Sequence, residues 1–179
     1  IIHRSNTGSN NSPVFTSFEL ETKRLVRIER VNNKTVAIGD EGYVVEITRA
    51  VSSDKNISYT ITQINADFDC YDIAYGNGKY VVVSSNGYFS TSTDLYNWSE
   101  PKQLDENISQ PYIVFAYNKF IVIDYSGRTI SSYDGENWNG YKTIEGASQN
   151  IFANAMYVSG DVIAVGSKYS RKTWKPKGA

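Results

Sequence analysis

Three acidic residues, Asp67, Asp69 and Asp72, flank Cys70, the only cysteine of the chain. Carboxylates this close together could hold a cation or act as a glycosidase acid–base pair. The glycine-centred pattern of a calcium loop is missing, and no second feature completes a hydrolase pair. The cluster therefore reads as a solvated loop between structural units. Cys70 precedes an apolar run and reads as a small buried hydrophobe. One cysteine and one histidine, His3, supply neither an intrachain disulfide nor a structural zinc set. No phosphate loop, nucleophile elbow or zinc motif is present. No catalytic residue, metal or cofactor is expected. The aromatic residues remain, among them 14 Tyr and 3 Trp. Tyr88, Tyr96, Tyr133 and Tyr141 fall in expected turns beside Asn and Asp, where they could stack on a sugar or anchor a protein. Their competing role is packing between structural units.

The elements that must position these side chains recur. Tyr71 to Trp98 and Tyr112 to Trp138 say nearly the same thing, with Gly87 matching Gly127 and Trp98 matching Trp138 at a period of 40 residues. Such a period marks a repeat architecture. Within the clearest copy, strands are expected at 70–75, 79–85, 88–92 and near 101–104, with tight turns at 76–78 and at Asn86-Gly87. The next copy runs 112–117, 119–124, 128–132 and 141–145, turning at Ser126-Gly127. A looser copy starts at Leu25, with strands at 25–31, 34–39 and 43–48 and an insertion around 50–56. A last copy, 152–157 and 161–166, degrades after 167 into a short basic stretch. No stretch holds apolar residues at i, i+3, i+4 and i+7, so little or no helix is expected.

Four antiparallel strands every ~40 residues is the pattern of a β-propeller blade. The expected fold is all-β, a propeller of about four blades or part of a larger one. The repeats lie at 25–65, 70–109, 111–148 and 151–179, inside a domain of 14–179 that follows an arm or linker at 1–13. The stretch 15–20 has the spacing of an outer strand from a preceding blade. That spacing favours a four-bladed ring closed by a strand from each end. The alternatives are an excerpt of a longer propeller and an arc completed by another subunit. The chain begins at Ile1 rather than Met, which reads as a processed chain or an excerpt.

Ser92, Asp94 and Trp98, and again Ser132, Asp134, Gly135 and Trp138, resemble Asp-boxes, also called bacterial neuraminidase repeats, one residue shorter here. The preceding strings are similar to propeller repeats of bacterial surface proteins and of phage tail or tail-fibre proteins. The last copy keeps Trp174 but has Ser170 in place of the Asp, and the first keeps Asp54 without a Trp. The resemblance implies that Asp94, Trp98, Asp134 and Trp138, with the turn glycines Gly87 and Gly127, serve the structure. The Asp ties its own turn and the Trp buries a ring on the neighbouring blade.

The same resemblance brings in sialidases, whose chemistry needs three arginines on a substrate carboxylate, a Tyr/Glu nucleophile pair and an Asp acid. Arg4, Arg24, Arg27, Arg30, Arg49, Arg128 and Arg171 do not recur at equivalent first-strand positions, and the family's Arg-Ile-Pro motif is absent. Arg27 and Glu29 read more simply as a charge pair on one strand face.

Eighteen basic against 19 acidic residues give a formal charge of −1, so no electrostatic ground exists for nucleic acid or an anionic membrane as partner. No apolar run approaches the ~20 residues of a membrane span. The expected role is a non-catalytic binding or structural module on an extracellular particle or surface, a phage tail or tail-like assembly. Its partners would be cell-surface glycan or other proteins of the assembly, with self-association open. The alternative is a fragment of a sialidase-like glycoside hydrolase.

Overall fold

The computed structural model describes residues 2–5, 14–17, 20–49, 57–144, 152–158, 161–166 and 171–174, with side chains at 20–48, 58–144 and Val162. The described elements are β-strands apart from one 3-10 turn at Asp40–Gly42. Strands β1 (Ile2–Ser5) and β2 (Val14–Ser17) form a two-stranded sheet. The first blade is β3 (Leu25–Val31), β4 (Lys34–Gly39), β5 (Tyr43–Arg49) and β6 (Ile57–Gln63). The second is β7 (Cys70–Gly76), β8 (Lys79–Ser84), β9 (Tyr88–Ser92) and β10 (Lys102–Gln103). The third is β11 (Tyr112–Ala116), β12 (Lys119–Ile123), β13 (Arg128–Ser132) and β14 (Asn139–Thr143). The last has three strands, β15 (Phe152–Val158), β16 (Asp161–Gly166) and β17 (Arg171–Trp174). Within each of these sheets neighbouring strands pair antiparallel in chain order, with two-residue turns joining β3 to β4, β7 to β8 and β11 to β12.

The expected strands and turns are largely met. Asn77 and Gly78 take positive φ (47° and 78°), as do Asn32 and Asn33 (48° and 59°). That is the primed turn whose twist suits an antiparallel hairpin. The apolar second strands β8 and β12 are buried on both faces, because blades two and three each have a blade before and one after them. Val81 and Val83 face the third blade while Tyr80 and Val82 face the first. Three clusters follow in order along the chain: one between blades one and two, one between two and three, and one joining blade three to Val162 of the last.

Two expectations need correction. Val14–Ser17 does not complete the last blade; it pairs with Ile2–Ser5, inside the stretch read as an arm. The last blade accordingly has three described strands rather than four. The first blade also leaves its inner edge open. Ile28, Ile73 and Ile113 hold the same repeat position, and the latter two are 4% and 3% exposed, whereas Ile28 is 56% exposed. Ala37 and Val45, further out on the same sheet face as Ile28, are buried. The insertion at 50–56, the turn at 159–160, the rest of the arm and the stretches 167–170 and 175–179 lie outside the described residues.

Candidate functional site

The Ser-x-Asp turns at Ser92–Asp94 and Ser132–Asp134 share one design. Asp94 Oδ1 accepts the backbone N–H of Tyr96 and of Asn97 at 2.8 Å each, and Asn97 Nδ2 donates to Oδ2 at 2.8 Å. Asp134 does the same with Glu136 (2.9 Å) and Asn137 (2.8 and 2.7 Å). Ser92 and Ser132 give their hydroxyls to the Asp and accept from the N–H of Leu95 and Gly135. So many donors hold both carboxyls well below the usual carboxylate range, the backbone N–H of Asn97 or Asn137 acting most strongly. A carboxylate saturated by its own turn is in no position to take a proton for chemistry.

Each turn leads into its tryptophan. Trp98 donates to Leu95 O at 2.9 Å and packs against the cluster that holds Val36, Ile38 and Val44 of blade one. Trp138 stacks edge-on against Phe89 of blade two, with centroids 5.6 Å apart. Its indole nitrogen is buried without a partner.

At the opposite end of the blades lies a second repeated device, which the sequence reading missed. Ile64, Leu104 and Ile144 each donate a backbone N–H to Gly42, Gly87 or Gly127, at 2.9, 2.8 and 2.9 Å. These glycines have φ of 72°, 81° and 83°. A turn then closes blades one and two: Asn65 caps the N–H of Asp67, and Asp105 caps that of Asn107, each through Oδ1. A Cβ on Gly42 would strike the Asn65 backbone, and one on Gly87 the Ile108 carbonyl. The signal was present as the 64–104–144 spacing, but single apolar residues after short outer strands do not stand out.

Along the inner strands, Asp72 overturns the reading of a solvated acidic loop. It is buried, and its oxygens accept the N–H of Ile73 and of Ile113 at 2.9 Å each. Arg27 Nε lies 3.3 Å from it, while Nη1 reaches Glu29 at 3.3 Å and Nε also donates to Tyr71 O at 3.2 Å. One carboxylate thus joins the inner strands of three blades. Burial pushes its carboxyl up to about 7, against the pull of Arg27 and of the two N–H donors. Tyr112 lies under Arg27 at 5.4 Å and shares a 3.0 Å hydroxyl contact with Tyr71. Burial raises the Tyr112 hydroxyl, helped by Tyr71. Asp69 instead accepts the N–H of Glu41, and buried Cys70 has its thiol pushed up to about 12 by desolvation.

The four tyrosines do not converge. Tyr96 gives its hydroxyl to Glu46 at 2.5 Å, under Lys34. Tyr133 is 61% exposed beneath Lys119, at the same end of the blades as Tyr96. Tyr141 is exposed on β14, beside Arg128. Tyr88, at the far end, lines a cleft of about 360 Å³ between blades one and two. Asn65, Asp67 and Phe68 of the blade-one closing turn and Asn86, Glu100 and Pro101 of blade two complete it. Asp67 and Glu100 are exposed and have no ion pair among the described residues. No group of three or more His, Cys, Asp or Glu among the described residues is placed to hold a metal ion.

No protein-family profile and no curated protein matches the chain. Solved structures do. YCF48 from Cyanidioschyzon merolae aligns over 89% of this chain and 55% of that one, at 20% identity and a TM-score of 0.63. A structure of YCF48 bound to D1 peptide aligns over the same shares, at 21% identity and 0.60. A protein of unknown function from Bacteroides thetaiotaomicron VPI-5482 aligns over 88% of this chain and 45% of that one, at 13% identity and 0.63. The chain spans about half the length of these structures. At such identities the likeness carries the fold alone: an all-β chain of four-stranded antiparallel blades, with the extent of a partial propeller.

Proposed function

We propose that the chain is a non-catalytic recognition module of an extracellular particle or surface, such as a phage tail or tail-like assembly. Its recognition site is the cleft between blades one and two. The observation that carries this reading is the departure of that cleft from the repeat. Repeated residues serve cohesion: the boxes, the glycine–turn contacts and the tryptophans are absorbed by the molecule itself. At the cleft the repeat breaks. Tyr88 stands where blade three has Arg128, and Arg128 is tied to buried Asp124 at 2.6 Å. Asp67, Glu100 and the Asn65 and Asn86 amides keep hydrogen-bonding capacity for a ligand.

The non-catalytic reading is supported by how the titratable groups are used. Asp94 and Asp134 are saturated, Asp72 is bound on three sides, and Arg24, Arg27 and Arg128 each hold a carboxylate of their own chain. A sialidase grip needs arginines left open for the substrate. The likeness to Asp-boxes rests on the shared turn geometry of Asp94 and Asp134. That YCF48 has been seen with a bound peptide supports a protein partner, and the tyrosine-lined cleft would also suit a sugar. A glycan array and a pull-down from envelope fractions, run with the intact chain and with Glu100→Gln, test the reading. Retention of a defined glycan or protein, weakened by the substitution, supports it. Retention of neither, or retention indifferent to the cleft, refutes it.

A further inference from the structure

The cleft chemistry points to one kind of guest. We propose that it takes a basic side chain, an arginine or a lysine, presented by a protein partner; this rests on the recognition reading above. Tyr88 supplies an aromatic group, Asp67 and Glu100 supply two carboxylates without ion pairs among the described residues, and no described lysine, arginine or histidine lines the space. Desolvating carboxylates with no countercharge is unfavourable, so a neutral occupant would leave them uncompensated. A guanidinium or ammonium group compensates them and is attracted to a tyrosine face. Beside the apolar Phe68 and Pro101, the Asn65 and Asn86 side chains offer amide oxygens already engaged: Asn65 Oδ1 by the N–H of Asp67, and Asn86 Oδ1 by Ser84 Oγ. Their NH₂ groups can hold a partner's backbone carbonyls.

The molecule illustrates the fit at its next junction. There the repeat position of Tyr88 is Arg128, whose guanidinium meets Asp124 and neighbours Tyr141. That junction brings its own arginine to a carboxylate and a tyrosine. The earlier one offers a tyrosine and carboxylates with no arginine among its described lining residues.

N-acetyl-argininamide, titrated into the intact chain and followed by NMR, tests the inference. N-acetyl-citrullinamide, of the same shape but neutral, is the control. The arginine probe should shift the Asn65 and Asn86 side-chain amides and the Tyr88 ring with saturation on the order of 1–10 mM. The effect should weaken with salt, and the citrulline probe should leave these signals in place. Asp67→Asn and Glu100→Gln should each weaken binding about two- to fivefold. Tyr88→Leu should do so about three- to fivefold. The two carboxylate variants lie on exposed side chains and keep the test valid if Tyr88→Leu disturbs the core. Equal response to citrulline, or shifts confined to other surfaces, overturns the inference. N-acetylglucosamine shifting these signals while the arginine probe does not overturns it too, yet leaves the recognition reading standing. Silence from every probe, with no hit on array or pull-down, removes both.

Discussion

The junction of blades one and two and that of blades two and three use the same skeleton and fill it differently. Position 95 is Leu in one and position 135 is Gly in the other, both with positive φ (77° and 74°). Leu95 is buried in the first junction despite its backbone conformation. At Gly135 a Cβ would lie 2.8 Å from Val81 Cγ2 and 3.2 Å from Phe120, so the space is already taken. At the rim, Lys34, Glu46 and Tyr96 make a three-part clasp, whereas Lys79 pairs directly with Glu136. Asn32 reaches the Tyr80 hydroxyl at 2.9 Å; its counterpart Asn77 finds Phe120 instead of Tyr80 and turns to Tyr133 O at 2.8 Å. The lesson is that the hydrogen-bonded turn sets the blade spacing, and the side chains then share out the remaining volume. Function has room only where that sharing leaves something over.

Substitutions that exchange the two solutions should have the largest effects. Gly135→Leu forces a side chain into filled space at positive φ and should cost about 3–4 kcal/mol in urea unfolding. Leu95→Gly relieves its backbone while emptying a buried site, and should cost less, about 2–3 kcal/mol. Equal costs would mean that the two junctions are packed alike.

The tryptophans should separate next. Trp98→Phe loses the bond to Leu95 O and should cost about 1 kcal/mol more than Trp138→Phe, whose indole N–H has no partner to lose. Comparing the two melting transitions checks this.

The sequence disclosed the strand order within the blades, the blade period and the two Ser-x-Asp turns. Period-two burial, Asn-Gly turns and Ser-x-Asp pairs are local patterns, so they survive in one dimension. Asp72 was misread because its burial depends on Arg27, 45 positions earlier, and on the Ile113 N–H, 41 later. Tyr88 was named, yet so were three tyrosines that lie elsewhere, since no local signal tells which turn meets which neighbour. The exposure of Ile28 was equally hidden: the residue type matches buried Ile73 and Ile113, and no described strand covers it.

Acid and base should act on different parts of the comparison. Asp72 keeps its proton to higher pH when folded than when unfolded, so the folded state binds more protons between about pH 4 and about 7. Stability from this group is fully present below that window and declines as pH rises through it. Asp94 and Asp134 behave oppositely: their contribution is present above the ordinary carboxyl range and is lost as pH falls below it. Unfolding measured from pH 3 to pH 8 should therefore show a maximum, and Asp72→Asn should flatten its basic side. An unchanged basic side in that variant would remove Asp72 as the cause.

A small effect is expected at the rim. Tyr96→Phe breaks the bond to Glu46 but leaves the Lys34–Glu46 pair, and should cost under about 1 kcal/mol.

The central claim is that recurring residues hold the blades together while the residues breaking the repeat at the Tyr88 cleft are free for recognition. Urea unfolding of Trp138→Ala beside the double variant Asp67→Asn/Glu100→Gln tests it most directly. Trp138→Ala should lose about 3 kcal/mol, and the double variant should stay within about 0.5 kcal/mol of the parent. A Trp138→Ala protein as stable as the parent, or a cleft variant that loses as much as the tryptophan variant, would contradict it.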